Sequence, residues 1–124
     1  MMNAGTRTRY PTVGVTTSDR QGAEGYNGIA GQENCTDDFG GTSSAAPTVA
    51  GVVALMLEAN PLLGWRDVQH ILIRTAEQND AGDPSWITNA AGLRNSNIYG
   101  FGRVDAERAV TVAAGRRAGP ALYL

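Results

Sequence analysis

Apolar and polar positions divide the 124-residue chain into three kinds of stretch. The densest apolar run, Val49 to Leu57, meets no polar side chain until Glu58. A segment apolar on every side predicts a helix buried on every side. Ahead of it, Gly40-Gly41 predict a tight turn with positive φ values. Thr42 and Ser43 have the side chains that suit a helix N-cap, and Pro47 is tolerated in a first turn. Small residues at Ala45, Ala46, Ala50, Gly51 and Ala54 allow a neighbouring backbone to come close. Asn60-Pro61 ends this helix, because the residue before proline avoids the helical region.

A second kind of stretch is periodic. Trp65, Val68, Ile71, Leu72 and Thr75 recur at helical spacing and predict a helix from about 65 to 76, with Gly64 as its cap. Asp105 opens a third helix through Ala106, Ala109, Val110 and Ala113, and Gly115 closes it. Tyr10 to Thr17 alternates, with Val13 and Val15 on one side, and predicts a short strand. The remaining stretches, 18–41 and 77–103, are polar and aperiodic and read as loops. Residues 1–9 read as a frayed start, 10–114 as the folded portion and 115–124 as a mobile tail.

Composition narrows the classes. The net charge is −2 and every positive charge is an arginine, spread singly apart from Arg116-Arg117. That pattern offers no basic face for nucleic acid and no polybasic membrane patch. The run Val49 to Leu57 is too short to span a bilayer, and Met1 to Gly5 lacks the regions of a signal peptide. The one cysteine, Cys35, reads most simply as a reduced thiol of a cytosolic protein.

Candidate chemistry concentrates at Ser43. A hydroxyl at the positive end of an apolar helix, beside N–H groups without intrahelical partners, suits an oxygen nucleophile and the oxyanion it creates. The stretch Gly41-Thr42-Ser43-Ser44-Ala45-Ala46-Pro47 resembles the nucleophile motif of the subtilisin-like serine proteases. Leu57-Glu58-Ala59-Asn60-Pro61 and Trp65-Arg66-Asp67-Val68-Gln69-His70 resemble the kexin/furin branch. Trp86-Ile87-Thr88-Asn89 and Tyr99 to Ala106 are similar to its next landmarks, in the same order.

The resemblance implies an α/β fold, part of a three-layer domain with a mostly parallel sheet, in which a short strand precedes a buried nucleophile helix and two further helices. It implies serine endopeptidase activity after basic residues, with Ser43 as nucleophile, its own N–H as oxyanion donor, and Gly41, Thr42 and Pro47 as the supporting motif. The family's catalytic aspartate, histidine and oxyanion asparagine precede this motif, and the segment ahead of Tyr10 is too short to hold them. The chain is therefore expected to be inactive alone and to resemble the C-terminal part of a catalytic domain. Its expected partners are a polypeptide substrate and either the missing N-terminal part or a second copy. No cofactor is identifiable, although relatives bind calcium elsewhere in the domain. The secretory pathway or the cell exterior is the implied compartment. Cys35 lacks the upstream partner with which its counterpart in the branch usually pairs. The alternative is a degenerate, non-catalytic relative serving as a binding module; an unrelated helical protein with a chance motif is a third reading.

Other polar residues read as structural. His70, the only histidine, follows the serine, the reverse of the family order, and is expected on a helix surface. Asp37 and Asp38 read as a solvated loop, and Asp19, Glu24 and Glu33 are too scattered for a metal. Arg66 and Asp67 are expected to face different ways, and Trp65 and Trp86 to pack in the core or at its edge. Val49, Val52, Val53, Leu55, Met56 and Leu57 would contribute roughly 9–18 kcal/mol if all were buried. One strand and two helices are too few to cover them, so exposed apolar surface and self-association are expected.

Overall fold

A computed structural model describes residues 14–27, 29–31 and 34–116. They fall into two compact units, Met1–Thr48 and Val49–Leu124. The expected frayed start, residues 10–13 of the expected strand and most of the expected tail lie outside the described residues.

The first unit contains an antiparallel pair, β1 (Val15–Ser18) and β2 (Cys35–Phe39). Val15 faces Phe39, Thr17 faces Thr36 and Ser18 faces Cys35, so β2 holds one residue more than β1 between the outer partners. That bulge lets Asp37 and Asp38 both remain exposed while Thr36 is buried. The expected unbroken loop over 18–41 is thus corrected: Cys35–Phe39 within it is a strand, stabilised by backbone pairing and not by an apolar pattern. Gly14 approaches β2 so closely that a Cβ would lie 2.1 Å from the Asp37 carbonyl oxygen. The Asp19 carboxylate accepts from the Asn27 and Arg20 N–H groups at 2.8 Å each, closing the loop between the strands. The Asn27 bond is the main cause that holds the Asp19 carboxyl below its ordinary value.

Helix α1 (Thr42–Ala59) begins in the first unit and ends in the second. The second unit continues with α2 (Trp65–Thr75), a hairpin of β3 (Trp86–Thr88) and β4 (Arg94–Ser96), and α3 (Ala106–Gly115). Its core is small. Val52 and Met56 from α1, Ile71 from α2 and Ala109 and Ala113 from α3 are buried together, flanked by Leu63, Val68, Leu72, Val104 and Val110. The two alanines on α3 allow its backbone close to the larger side chains.

Helix α1 is not buried on every side. Only Val52 and Met56, one turn apart, are buried; Leu55 and Leu57 are 50% and 39% exposed. An apolar sequence permits burial, but neighbours must supply it, and the other elements cover one stripe of this helix. By length and composition alone α1 is long and apolar enough to cross a membrane, as core helices of soluble proteins also are.

Helix α2 matches its expected span. The Asp67 carboxylate accepts from the Gly64 N–H at 3.0 Å and caps the helix from within, and it also pairs with Arg116. Arg66 lies over the Trp65 ring, 4.2 Å from its centroid. Of the two tryptophans expected in the core or at its edge, Trp86 is buried, whereas Trp65 is 63% exposed and lies outside the core. Asp105 accepts from the Arg108 N–H at 2.9 Å and caps α3, as its sequence predicts.

Between α2 and α3 the expected loop is corrected to a hairpin. Trp86 faces Ser96 and Thr88 faces Arg94, and the Asn89 side chain accepts from the Ala91 and Leu93 N–H groups to close the connection. The Ser96 hydroxyl meets that of Ser85 at 2.7 Å, and the Trp86 indole donates to the Asn79 and Asp80 carbonyls. Glu77 and Arg103 exchange backbone hydrogen bonds at 2.8 Å each and join their side chains in an ion pair. Gly102, with φ +121°, leaves no room there for a Cβ, which would lie 2.3 Å from the Glu77 carbonyl oxygen.

A long-range contact ties α1 to α3. The Asn60 side-chain amide donates to the Ala113 and Arg116 carbonyls at 3.0 and 2.8 Å, and its oxygen accepts from the Leu62 N–H at 3.1 Å. One residue thereby binds two carbonyls at the end of α3, of which that of Ala113 also accepts from the Arg116 N–H at 3.3 Å. Every strand pair among the described residues is antiparallel, not parallel as the resemblance implies. For β3–β4 the cause is local, since a parallel pair needs a crossover of a dozen or more residues and their connection is a short turn.

Candidate active site

Ser43 occupies the second position of α1. Gly41, at φ +74°, turns the chain into the helix; Gly40 is not in the left-handed region, so one glycine and not two supplies the turn. The Gly41 carbonyl accepts from the Ser44 and Ala45 N–H groups at 3.2 and 3.3 Å. Thr42 and Ser43 therefore lie inside the first turn, and neither side chain caps the helix as expected. Their N–H groups come before the helical ladder begins and have no acceptor among the described residues.

The two adjacent serines differ. The Ser44 hydroxyl donates to the Gly41 carbonyl at 2.9 Å. The Ser43 hydroxyl is exposed and has no hydrogen-bond partner among the described residues. It stands where the helix dipole is most positive, beside free N–H donors, an arrangement that favours an alkoxide or a developing oxyanion.

Pro47 lies six residues into α1, not in its first turn as expected. Lacking an N–H, it cannot bond the carbonyl four residues earlier, which belongs to Ser43. The helical ladder thus offers the Ser43 N–H no acceptor, because the helix has only begun, and offers its carbonyl no donor from position 47, because proline has none. Sequence reading missed this pairing, although the four-residue spacing from Ser43 to Pro47 was available to find it.

The remaining polar residues near Ser43 in sequence supply no partner. Asp37 and Asp38 are exposed on β2 and form no ion pair among the described residues. His70 is exposed on α2, as expected. Cys35 is an exposed free thiol. Among the described residues no group of three or more His, Cys, Asp or Glu stands together in a way that could hold a metal ion.

Comparison with known proteins follows the same residues. Residues 16–102, which include Ser43, match the Subtilase family. "Proprotein convertase subtilisin/kexin type 5" of Homo sapiens is 51% identical over 82 residues, 66% of this chain and 4% of that protein. "Furin-like protease 1, isoform 1-CRR" of Drosophila melanogaster is 46% identical over 87 residues, 70% of this chain and 8% of that protein. The crystal structure of the Aeromonas sobria serine protease with its chaperone aligns at a TM-score of 0.73 and 28% identity, over 85% of this chain and 24% of that one. The chain thus spans less than a tenth of these two curated relatives and about a quarter of the solved structure. With its match covering most of the chain and its similarity to proprotein convertases, this chain belongs to the subtilase family of subtilisin-like serine proteases.

Proposed function

We propose that this chain carries the nucleophile, Ser43, of a serine endopeptidase of the kexin/furin type that cleaves polypeptides after basic residues. One observation carries the reading: an unbonded Ser43 hydroxyl beside free N–H groups at the start of α1, inside the stretch that matches the family. In such a reaction the Ser43 Oγ attacks the scissile carbonyl carbon and the Ser43 N–H receives the oxyanion.

A base must take the proton from Oγ. His70 is the only histidine; it follows the serine in sequence and sits exposed on α2. In a subtilisin, losing the serine or histidine alone costs about 10⁶ in turnover. The 124-residue chain by itself is accordingly inactive, and its partner is the part of a catalytic domain that bears the aspartate, histidine and oxyanion asparagine, or failing that a second copy. The calcium and the secretory or extracellular setting that the resemblance implies belong to the complete enzyme. A second reading, a non-catalytic binding module, is supported by the exposed aliphatic side chains of α1.

A fluorophosphonate probe tests the proposal. The chain alone stays unlabelled, and the chain co-expressed with the upstream catalytic region of a proprotein convertase is labelled at Ser43 and nowhere else in this chain. Rapid labelling of the chain alone refutes inactivity. No labelling in a folded, co-purifying complex refutes the nucleophile assignment and favours the binding module.

A further inference from the structure

The second unit contains a cleft of about 400 Å³ remote in sequence from Ser43, formed by the end of α2, the segment after it, the β3–β4 hairpin and Phe101. Its volume falls in the range of small-ligand sites. Its two charged groups come from different elements: Arg74 from the last turn of α2 and Arg94 from the start of β4. No carboxylate lines it. Neither guanidinium has a hydrogen-bond or ion-pair partner among the described residues, in contrast to Arg20, Arg103 and Arg116, which all pair with acids.

A third group points the same way. Gln78 lines the cleft, and its amide nitrogen Nε2 is buried without an acceptor. The unpaired groups at this cleft are therefore donors, and two of them are cations. The rest of the lining is largely apolar, with Trp86, Leu93, Ile73 and Phe101. Trp86 is fixed by its indole bonds and by stacking on Tyr99 at 5.8 Å, so that wall is rigid. Arg74 alone has a local explanation, since a cation suits the carbonyl end of a helix. Arg94 on a strand has none.

We propose that this cleft binds an acidic peptide segment, in which a glutamate or aspartate meets Arg74 and Arg94 and an adjoining apolar side chain lies against Leu93, Trp86 and Phe101. Charge complementarity selects the carboxylate, because a paired guanidinium offers two parallel N–H donors to it. The apolar walls select a residue carried beside the carboxylate, which a free small anion lacks. This site does not depend on Ser43 being a nucleophile.

Fluorescence anisotropy with labelled Gly-Leu-Glu-Phe-Gly, and the same peptide with Gln in place of Glu, tests the proposal on the full chain. The acidic peptide binds about tenfold more tightly or better, and the preference shrinks as salt rises. R94Q abolishes the preference and R94K retains part of it, with far-UV circular dichroism confirming that both remain folded. Equal binding of the two peptides to the unmodified chain, no binding of either, or displacement by acetate at the peptide's own concentration overturns the proposal; none of these requires a variant to fold.

Discussion

Replacing Asn60 tests how the second unit is tied together. Its side chain makes three hydrogen bonds: two donated to the carbonyls of Ala113 and Arg116, and one accepted from the Leu62 N–H. Each such bond contributes about 0.5–1.5 kcal/mol net. Asn60 is only half-buried, so the lower part of that range applies and N60A should cost about 2 kcal/mol. N60D is the sharper variant. It keeps an acceptor for Leu62 but sets an anion against two carbonyls at the negative end of α3, adding about 0.3–1 kcal/mol to the loss. The same contact raises the new carboxyl's pKa in the folded state. The folded state then binds more protons than the unfolded one, so N60D recovers stability as pH falls and loses it as pH rises through the raised value. Urea unfolding followed by circular dichroism, at neutral and mildly acidic pH, reads both effects. If N60D equals N60A at neutral pH, or if N60A lies within about 0.5 kcal/mol of the parent, the bridge between α1 and α3 is not what holds these elements.

Further expectations concern other parts of the chain. In the complex used for labelling, S43A should lose the fluorophosphonate adduct entirely, whereas S44A should keep it, since the Ser44 hydroxyl is tied to Gly41; equal loss in both would dissolve the distinction between the serines. G102A should destabilise the second unit by about 1–3 kcal/mol or more, because φ is +121° and a Cβ would strike the Glu77 carbonyl, while G82A, with open space around it, should be near neutral. Equal melting temperatures for these two variants would contradict the close approach. Asp19 has a folded-state pKa below its ordinary 3.8, so its contribution is present above that value and fades as pH falls through the lowered one. The Asn27 amide resonance should therefore shift in strongly acidic solution in the parent and not in D19N; an unchanged resonance in the parent would remove the loop-closing role.

What the sequence discloses depends on where each element finds its partners. Helices α2 and α3 are legible because the apolar spacing from Val68 to Thr75 and the cap at Asp105 are local signals. The position of Ser43 at a helix start is legible for the same reason, through Gly41 and the apolar run beyond. Strand β2 is hidden, because a bulge at Asp37-Asp38 breaks the alternation and leaves two acids outside. The β3–β4 hairpin is hidden because its strands are three residues each and are held by hydroxyl and indole hydrogen bonds. Asn60 resembles an ordinary helix stop, and its bonds reach 53 and 56 residues away. The burial of α1 is not legible, since composition states which side chains avoid water but not what stands beside them.

The outward aliphatics of α1 have a practical corollary. Leu55 and Leu57, two residues apart, expose aliphatic surface on opposite flanks of the helix in a molecule of 13.0 kDa. Such surface will cling to phenyl resin, scatter light as ammonium sulfate is added and lose protein to plastic walls. Those are bench-side signs of aliphatic side chains left facing water.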